Sequence, residues 1–267
     1  MAVLVPSELS ILLVEPSKTQ QKIIANYLKK EDIHNIEVAS NIEQALSWIA
    51  THNPDLIASA MHFSDGSALD FVKQLKKEPK TQDTPFMLVS SEHRKEQLEV
   101  YRQSGVVAIL PKPFSPVDLG RAVNATIDLL TPSELELEYF DVHDVRVLVV
   151  DDSLLARNYI VRVLKSLGVS RITQAVDGAD AIDRLNDGNF DLVVTDYNMP
   201  DVNGAELTDY IRKQSDQSHI PVLMVSSEAS EPHLANIEQS GVNALCDKPF
   251  EPENVRKILY RLLEGEE

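Results

Sequence analysis

The most informative segment of the sequence is Phe190-Asp191-Leu192-Val193-Val194-Thr195-Asp196-Tyr197-Asn198-Met199-Pro200. Residues from Asp191 to Thr195 are mostly apolar and β-branched, which predicts a buried strand, and Asp-Gly and Asn-Gly pairs on either side indicate turns. Ligands of an open parallel α/β sheet bind at the carboxyl ends of its strands, so Asp196 is a candidate reactive group. An Asp that closes a strand before a turn is also common, so residues elsewhere in the chain must decide.

The stretch around Asp196 belongs to a repeat with an offset of 136 residues. The paired segments are Ile11–Ser17 with Val147–Ser153, Ala60 with Asp196, Val89–Glu92 with Val225–Glu228, Gly105 with Gly241, and Lys112–Phe114 with Lys248–Phe250. One offset over five separated segments predicts two copies of one domain. Gly66 follows Ala60 by six residues and Gly204 follows Asp196 by eight, so we expect a shorter loop in the first copy, with the register regained around residues 76–83.

The predicted domains are residues 8–130 and 144–267, joined by a linker at 131–143. Pro132 and a run of alternating acids characterise the linker. Its segment Ser133–Leu137 could extend the preceding helix, so the linker need not be flexible.

Strands and helices alternate within each copy. In the second copy the predicted elements are strand 145–150, helix 153–167, strand 171–176, helix 179–186, strand 191–196, helix 205–213, strand 221–226, helix 232–239, strand 244–246 and helix 252–263. Ser153 is expected to cap the first helix and Gly168 to end it. Five strands alternating with five helices predict an α/β fold, in which a parallel sheet is covered on both faces by right-handed crossovers.

The composition is that of a soluble globular protein. A length of 267 residues leaves room for about two domains, and 43% of the residues are hydrophobic and 25% charged. No apolar run approaches the ~20 residues of a membrane span, and the N-terminus lacks the basic flank of a signal peptide. The single Cys246 cannot form an internal disulfide. We therefore expect a cytoplasmic protein without a membrane segment.

The charge argues against binding to nucleic acid. The formal net charge is −17, and a division after Val142 gives 13 Lys and Arg against 20 Asp and Glu before it, and 12 against 22 after it. Neither half can present the basic surface that phosphates require. We therefore expect no DNA-reading output domain in this sequence.

Polar side chains follow four predicted strands of the second copy. Asp151 and Asp152 follow the first strand, Asp196 ends the third, Ser226 ends the fourth and Lys248 follows the fifth. In a doubly wound sheet these four strands lie side by side, so the five side chains are expected to converge at one edge.

Such a cluster suits phosphoryl transfer. Three carboxylates within several ångströms repel one another, and a hard cation such as Mg²⁺ relieves that repulsion. Lys248 would neutralise the far side of an incoming phosphoryl group, and Ser226 would donate a hydrogen bond to one of its oxygens. Positioning and charge neutralisation are the main requirements of this reaction, with Asp196 as the nucleophile.

Each of these residues also has a simpler interpretation. Asp151-Asp152-Ser153 could be only a helix N-cap with acids favoured by the helix dipole. Ser226 could be a strand-end hydroxyl, and Lys248 a surface lysine before a cis-proline turn. Their placement at successive strand ends favours the common site.

As a set, these residues resemble the receiver domain of two-component response regulators, the CheY-like family. The matching motifs are Asp151-Asp152, Asp196 in Asp-Tyr-Asn-Met-Pro, Gly204, Ser226 in Val-Ser-Ser-Glu, and Lys248-Pro249-Phe250. The resemblance covers about 120 residues in each copy. It implies two flavodoxin-like (βα)5 domains in tandem, each with a five-stranded parallel sheet of order 2-1-3-4-5.

The resemblance implies that Asp196 accepts a phosphoryl group from a phosphohistidine of a sensor histidine kinase or a histidine phosphotransfer protein. It implies that Asp152, Asp196 and the backbone carbonyl of Asn198 hold Mg²⁺, and that Asp151 binds it through water. These assignments make the protein a phosphoacceptor and not an enzyme.

The resemblance further implies that Ser226 and Lys248 contact the phosphoryl group. Asn198 and Glu228 occupy the positions that tune hydrolysis of the acyl phosphate, so slow self-dephosphorylation is expected.

Two features depart from the family pattern. Leu245 stands where the family often has an aromatic residue that rotates inward on activation, so an aromatic-gated switch is in doubt. The segment Ala244–Asp247 also lacks the acidic pair and tyrosine of receivers that dimerise as DNA-binding regulators.

The first copy lacks the acids of this site. Glu15-Pro16 replaces the acidic pair and Ala60 replaces the nucleophile, while Ser90 and Lys112 remain. Alanine cannot accept a phosphoryl group, and Glu15 alone is not expected to hold Mg²⁺.

Other polar residues of the first copy do not restore the chemistry. His62 lies past the strand end without an acid cluster, and Asp65 before Gly66 is most simply a turn residue. The first copy is therefore interpreted as a pseudo-receiver that packs against the second copy, pairs two chains as a homodimer, or binds a partner.

Three functional hypotheses follow. The favoured one is a phosphorylation-dependent signalling protein that acts through protein contacts, with a phosphate sink as a variant. A Mg²⁺-dependent hydrolase that forms an aspartyl phosphate would carry its nucleophile after the first strand in an Asp-x-Asp pattern, where this chain has Asp151-Asp152. An inert adaptor would not need the intact second site.

Overall fold

The computed structural model describes residues 4–139, 141–226 and 241–264. The chain divides between Thr131 and Pro132 into two compact units, called here the first and second domains.

The first domain alternates strands with helices. Its elements are β1 (Ser10–Val14), α1 (Lys18–Lys30), β2 (Asn35–Ala39), α2 (Ile42–Ile49), β3 (Leu56–Ala60), β4 (His62–Phe63), β5 (Gly66–Ser67), α3 (Ala68–Lys77), β6 (Phe86–Ser90), α4 (Lys95–Arg102), β7 (Ala108–Pro111) and α5 (Pro116–Leu130).

The second domain repeats this order. Its elements are β8 (Arg146–Val150), α6 (Leu154–Ser166), β9 (Arg171–Ala175), α7 (Gly178–Asp187), β10 (Leu192–Asp196), α8 (Gly204–Lys213), β11 (Val222–Ser226), β12 (Ala244–Asp247) and the helix Pro252–Glu264, called α9 here. The predicted helix 232–239 lies outside the described residues.

Each domain contains a five-stranded parallel sheet. The strand order is β2-β1-β3-β6-β7 in the first domain and β9-β8-β10-β11-β12 in the second. Both orders correspond to 2-1-3-4-5, which confirms the predicted α/β flavodoxin-like fold. The central strands β3, β6, β10 and β11 are buried along their whole length, as parallel sheets covered on both faces require.

Local sequence explains where the helices begin. The Ser153 side chain accepts a hydrogen bond from the Ala156 N–H, and Ser17 does the same for Gln20, so both act as N-caps. Gly168, which follows α6, has a φ of 98°, a conformation that glycine adopts without strain. The predicted cap and stop of this helix are therefore confirmed.

The predicted slip between the two copies is wrong, because the offset of 136 holds through the loop. Helix α3 begins at Ala68 and α8 at Gly204, and the backbone N–H of each donates to a carbonyl seven residues earlier, that of Met61 or Tyr197. Gly66 therefore corresponds to Val202, not to Gly204.

The glycine of this packing contact lies on opposite sides in the two domains: it is Gly66 in the first and Gly178 in the second. A Cβ on Gly66 would lie 3.1 Å from Ile42 Cδ1, whereas a Cβ on Gly178, the counterpart of Ile42, would lie 2.6 Å from Val202 Cγ1. Each domain thus pairs one large and one small residue at this contact, with the order exchanged. In the first domain the loop also forms an antiparallel pair, β4 with β5, that the sequence did not predict.

The segment after Pro132 is not a helix and packs on the second domain. The Ser133 N–H donates to the Ser166 carbonyl at 3.0 Å and the Leu135 N–H to the Leu167 carbonyl at 2.9 Å. Leu135 is buried, so much of the predicted linker is an extended strap on the second domain. The predicted helical extension through Ser133–Leu137 is therefore wrong.

Candidate functional site

The sheet of the second domain brings the predicted site residues to one edge. Asp151 directly follows β8, Asp196 ends β10, Ser226 ends β11 and Lys248 follows β12. These four strands are neighbours in the sheet, so their carboxyl ends lie together.

Three of the side chains form an acid cluster. Asp151, Asp152 and Asp196 each offer a carboxylate oxygen, and these oxygens all lie within 4.8 Å of one another. Asp151 and Asp196 are 0% and 1% exposed, whereas Asp152 is exposed to solvent. Among the described residues, this is the one group of three or more His, Cys, Asp or Glu side chains close enough to share a metal ion.

Lys248 joins the acid cluster from the adjacent strand. Its Nζ lies 3.0 Å from Asp196 Oδ1 and 3.1 Å from Asp151 Oδ2, and the lysine is buried. A cis peptide bond links Lys248 to Pro249. Lys248 is therefore not the surface lysine of the simpler interpretation.

The electrostatics follow from burial and pairing. Burial raises the pKa of the Asp151 carboxyl above its ordinary value, and Lys248 offsets only part of that effect. Burial alone would lower the pKa of Lys248, but the carboxylates of Asp196 and Asp151 outweigh it and raise this pKa. A charged lysine thus holds two buried acids together.

Backbone contacts fix the two buried acids. Asp151 Oδ1 accepts the Ser153 N–H at 2.8 Å, which makes the acid part of the entry to α6. A Cβ on Gly204 would lie 2.3 Å from the Asp196 carbonyl oxygen, so only glycine lets α8 begin this close to Asp196.

The other predicted site residues lie near this edge. Ser226 is fully buried at the end of β11, while Asn198 is exposed in the loop after Asp196. The Tyr197 N–H, which donates to the Val225 carbonyl at 3.0 Å, anchors that loop to β11. Leu245 is half-buried on β12, and Glu228 lies outside the described residues.

Sequence reasoning missed Arg157, which lies on α6. This arginine is 7% exposed, and its Nη1 donates to the Asp151 carbonyl oxygen at 2.5 Å. A polar position five residues after Asp152 on a predicted amphipathic helix was the available signal, but it is indistinguishable from a surface position.

The equivalent edge of the first domain is filled by its own side chains. Lys112 Nζ lies 2.8 Å from Glu15 Oε2, and Glu15 Oε1 accepts the Ser17 N–H at 2.9 Å. The buried Ser90 hydroxyl donates to Met61 Sδ at 3.3 Å. Glu15 thus takes the place of Asp151, without the other two acids.

Other residues of the first domain have structural roles. Asp65 Oδ2 accepts the Glu43 N–H at 2.9 Å in the first turn of α2, so this acid is more than a turn residue. His62 is exposed in the short strand β4.

No helix among residues 4–139, 141–226 and 241–264 is both long and apolar enough to cross a membrane.

The chain is similar to a known family over most of its length. The family described as response regulator receiver domain matches residues 11–124 and again residues 147–260. Similar proteins include the chemotaxis protein CheY of Pseudomonas aeruginosa, 36% identical over 119 residues that make up 45% of this chain and 96% of that protein. Chemotaxis protein CheY-3 of Vibrio cholerae is 36% identical over 121 residues, 45% of this chain and 93% of that protein.

Solved structures of related domains are also similar. The chemotaxis protein CheY4 of Vibrio cholerae is 33% identical, with a TM-score of 0.42, and the match covers 45% of this chain and 98% of that one. The receiver domain of a sensor histidine kinase from Pseudomonas aeruginosa, solved with a magnesium ion coordinated in its active site cleft, is 28% identical with a TM-score of 0.42. That match covers 45% of this chain and 98% of the other.

Proposed function

Because the chain belongs to the response regulator receiver domain family and carries two such domains in tandem, we propose that its second domain is the phosphoacceptor of this two-component response regulator. Asp196 accepts the phosphoryl group, and the donor is a phosphohistidine on a sensor histidine kinase or a histidine phosphotransfer protein.

The observation that carries this proposal is the convergence of three carboxylates and Lys248 at the ends of adjacent strands. Two buried acids within 3.1 Å of one lysine are more negative charge than that lysine neutralises, and Asp152 adds a third acid. Such a site favours the binding of a divalent cation, and of a phosphoryl group whose negative charge is paired with that cation.

The donor set fits Mg²⁺. Carboxylate oxygens within 4.8 Å of one another suit a small hard cation that retains several waters. Asp152, Asp196 and the backbone carbonyl of Asn198 would hold the ion, with Asp151 reaching it through water. The bound ion would neutralise charge on the phosphoryl oxygens.

In the transfer itself, a carboxylate oxygen of Asp196 attacks phosphorus in line with the leaving imidazole nitrogen. An O–P bond forms as the N–P bond breaks, and the imidazole leaves as the neutral group because its other ring nitrogen carries a proton taken from solvent. Lys248 pairs with the phosphoryl oxygens and Ser226 donates a hydrogen bond to one of them.

The first domain would be a pseudo-receiver. Ala60 provides no nucleophile, and the remaining Glu15 and Lys112 are already paired at 2.8 Å. Its role would be to bind a protein partner or a second copy of this chain as a homodimer.

The output would pass through protein contacts in the cytoplasm, without nucleic acid or membrane. The acidic surface, with a net charge of −17, is consistent with that output. Slow loss of phosphate by hydrolysis, and not catalytic turnover, would reset the switch.

The test is phosphorylation of the full chain by acetyl phosphate with Mg²⁺, followed by intact mass. The expected result is one phosphoryl group per chain, none in Asp196→Asn, and none when EDTA removes Mg²⁺. Asp183→Asn, at an exposed acid on α7, is the matched control and should react like wild type. Phosphorylation that persists in Asp196→Asn would contradict the proposal.

A further inference from the structure

Arg157 is a buried cation beside the acid cluster that the proposed chemistry does not use. It is 7% exposed, and its guanidinium donates to the Asp151 carbonyl at 2.5 Å and to Gln174 Oε1 at 3.2 Å. Both acceptors are neutral oxygens. A buried guanidinium stays charged, so its charge must be compensated by acids nearby.

The first domain shows which part of this arrangement is needed for the fold. Gln21 is the counterpart of Arg157, and its Nε2 donates to the Glu15 carbonyl at 2.6 Å. The same hydrogen bond therefore forms in both domains, by a neutral side chain in one and by a cation in the other. The hydrogen bond alone does not require the charge.

The two domains differ in the number of cations at this edge in the same sense as they differ in the number of acids. Two cations reach the edge of the second domain where Asp151, Asp152 and Asp196 lie. Lys248 pairs with the Asp151 and Asp196 carboxylates, and Arg157 contacts the Asp151 main-chain carbonyl. At the corresponding positions of the first domain, Glu15 pairs with Lys112, while Pro16 and Ala60 replace the other two acids and Gln21 replaces Arg157. The domain that lacks two acids thus also lacks the second cation.

We infer that Arg157 is a positioning residue whose charge balances the acid cluster before Mg²⁺ binds, and so sets the affinity of the site for Mg²⁺. Its hydrogen bond holds the Asp151 backbone at the end of β8, and its charge lowers the repulsion among the three carboxylates. The part of this inference that concerns Mg²⁺ affinity rests on the proposed function.

The sign of the effect separates charge from structure. If the charge matters, Arg157→Gln keeps the hydrogen bond seen at Gln21 but leaves the acids less compensated, so Mg²⁺ binds more tightly. If Arg157 only shapes the backbone, its removal loosens Asp151 and Mg²⁺ binds more weakly or with unchanged affinity.

The first experiment measures the Kd of Mg²⁺ for the full chain by isothermal titration calorimetry. Arg157→Gln is expected to lower the Kd about three- to tenfold, the scale of one screened charge, while Arg157→Lys, which keeps the charge, stays near wild type. An unchanged or raised Kd in Arg157→Gln would overturn the inference. Wild type that does not bind Mg²⁺ would contradict the metal site of the proposed function and the affinity claim together.

A second experiment needs no metal and tests independently whether the charge of Arg157 balances the acid cluster. Urea unfolding in EDTA measures how much stability Arg157→Gln removes from the wild-type chain and how much it removes from a chain that already carries Asp196→Asn. The loss of stability caused by Arg157→Gln is expected to be smaller in Asp196→Asn, because one of the repelling acids is already neutral. Equal losses in the two backgrounds would show that Arg157 does not balance the cluster, whatever the result for Mg²⁺.

Discussion

At the scale of single residues, strand ends were the reliable signal. Asp151, Asp196, Ser226 and Lys248 were predicted to converge because parallel strands place their carboxyl ends at one edge, and the sheet of the second domain brings them there. The pattern could not show that Lys248 is buried between two acids, since that depends on side-chain distances.

Asp191 anchors the start of the strand that carries Asp196. Its carboxylate accepts hydrogen bonds from the Arg146 backbone N–H, Nε and Nη2, at 2.9, 2.9 and 2.8 Å. These hydrogen bonds from Arg146 lower the pKa of Asp191 below its ordinary value of 3.8. In the first domain the counterpart Asp55 accepts only the Ser10 N–H among the contacts described, at 2.8 Å.

This difference predicts a pH-dependent contribution from Asp191. Because the pKa of Asp191 is lower in the folded chain than in the unfolded one, its ionised carboxylate stabilises the fold above pH 3.8. This stabilisation is lost as the pH falls through the pKa of the folded state. Asp191→Asn should therefore cost about 1 kcal/mol near pH 6, a figure already reduced for the partial exposure of the pair. The cost should shrink as the pH falls below 3.8. Urea unfolding of wild type and Asp191→Asn over this range is the measurement. A cost that is independent of pH would contradict the argument.

At the scale of elements, the helices and strands followed from periodicity and caps, whereas the loops did not. Gly66 was matched to Gly204 because both are glycines near a turn, but the backbone places Ala68 opposite Gly204. Residue type was a poor guide there, because the small residue of a packing pair can sit on either side.

Gly204 should therefore be far less tolerant of a side chain than its position in a helix suggests. Gly204→Ala would put a Cβ 2.3 Å from the Asp196 carbonyl oxygen, so we expect a loss of about 1–3 kcal/mol in unfolding free energy and weaker Mg²⁺ binding. Ala68→Gly, the matched change in the first domain, should cost less than ~1 kcal/mol and leave Mg²⁺ binding unchanged. Thermal unfolding with and without Mg²⁺ measures both, and equal effects of the two variants would refute the close-approach argument.

At the scale of the whole molecule, the repeat predicted two domains, but not where the second one begins. The alternating acids after Pro132 suggested a linker, yet the Ser133 and Leu135 N–H groups donate to the carbonyls that end α6. Arg256 of α9 also donates to the Glu134 carbonyl at 3.2 Å. These are tertiary contacts, and no local pattern reports them.

The strap should stabilise the second domain when that domain is produced alone. A fragment that starts at Pro132 is expected to have a free energy of unfolding about 2 kcal/mol higher than one that starts at Asp144. The gain comes from burial of Leu135 and from the hydrogen bonds of the strap, less the entropic cost of ordering it. Leu135→Ala in the longer fragment should remove most of that difference. Equal urea midpoints for the two fragments would place the boundary at the predicted 144.

In the proposed mechanism, Asp196 of the second domain is the sole phosphoacceptor in the chain. The most direct test of this assignment is fluorine NMR of the full chain with Mg²⁺ and beryllofluoride, an acyl-phosphate mimic, in wild type and Asp196→Asn. One bound adduct per chain is expected in wild type and none in the variant. No adduct in wild type, or one that persists in Asp196→Asn, would contradict it.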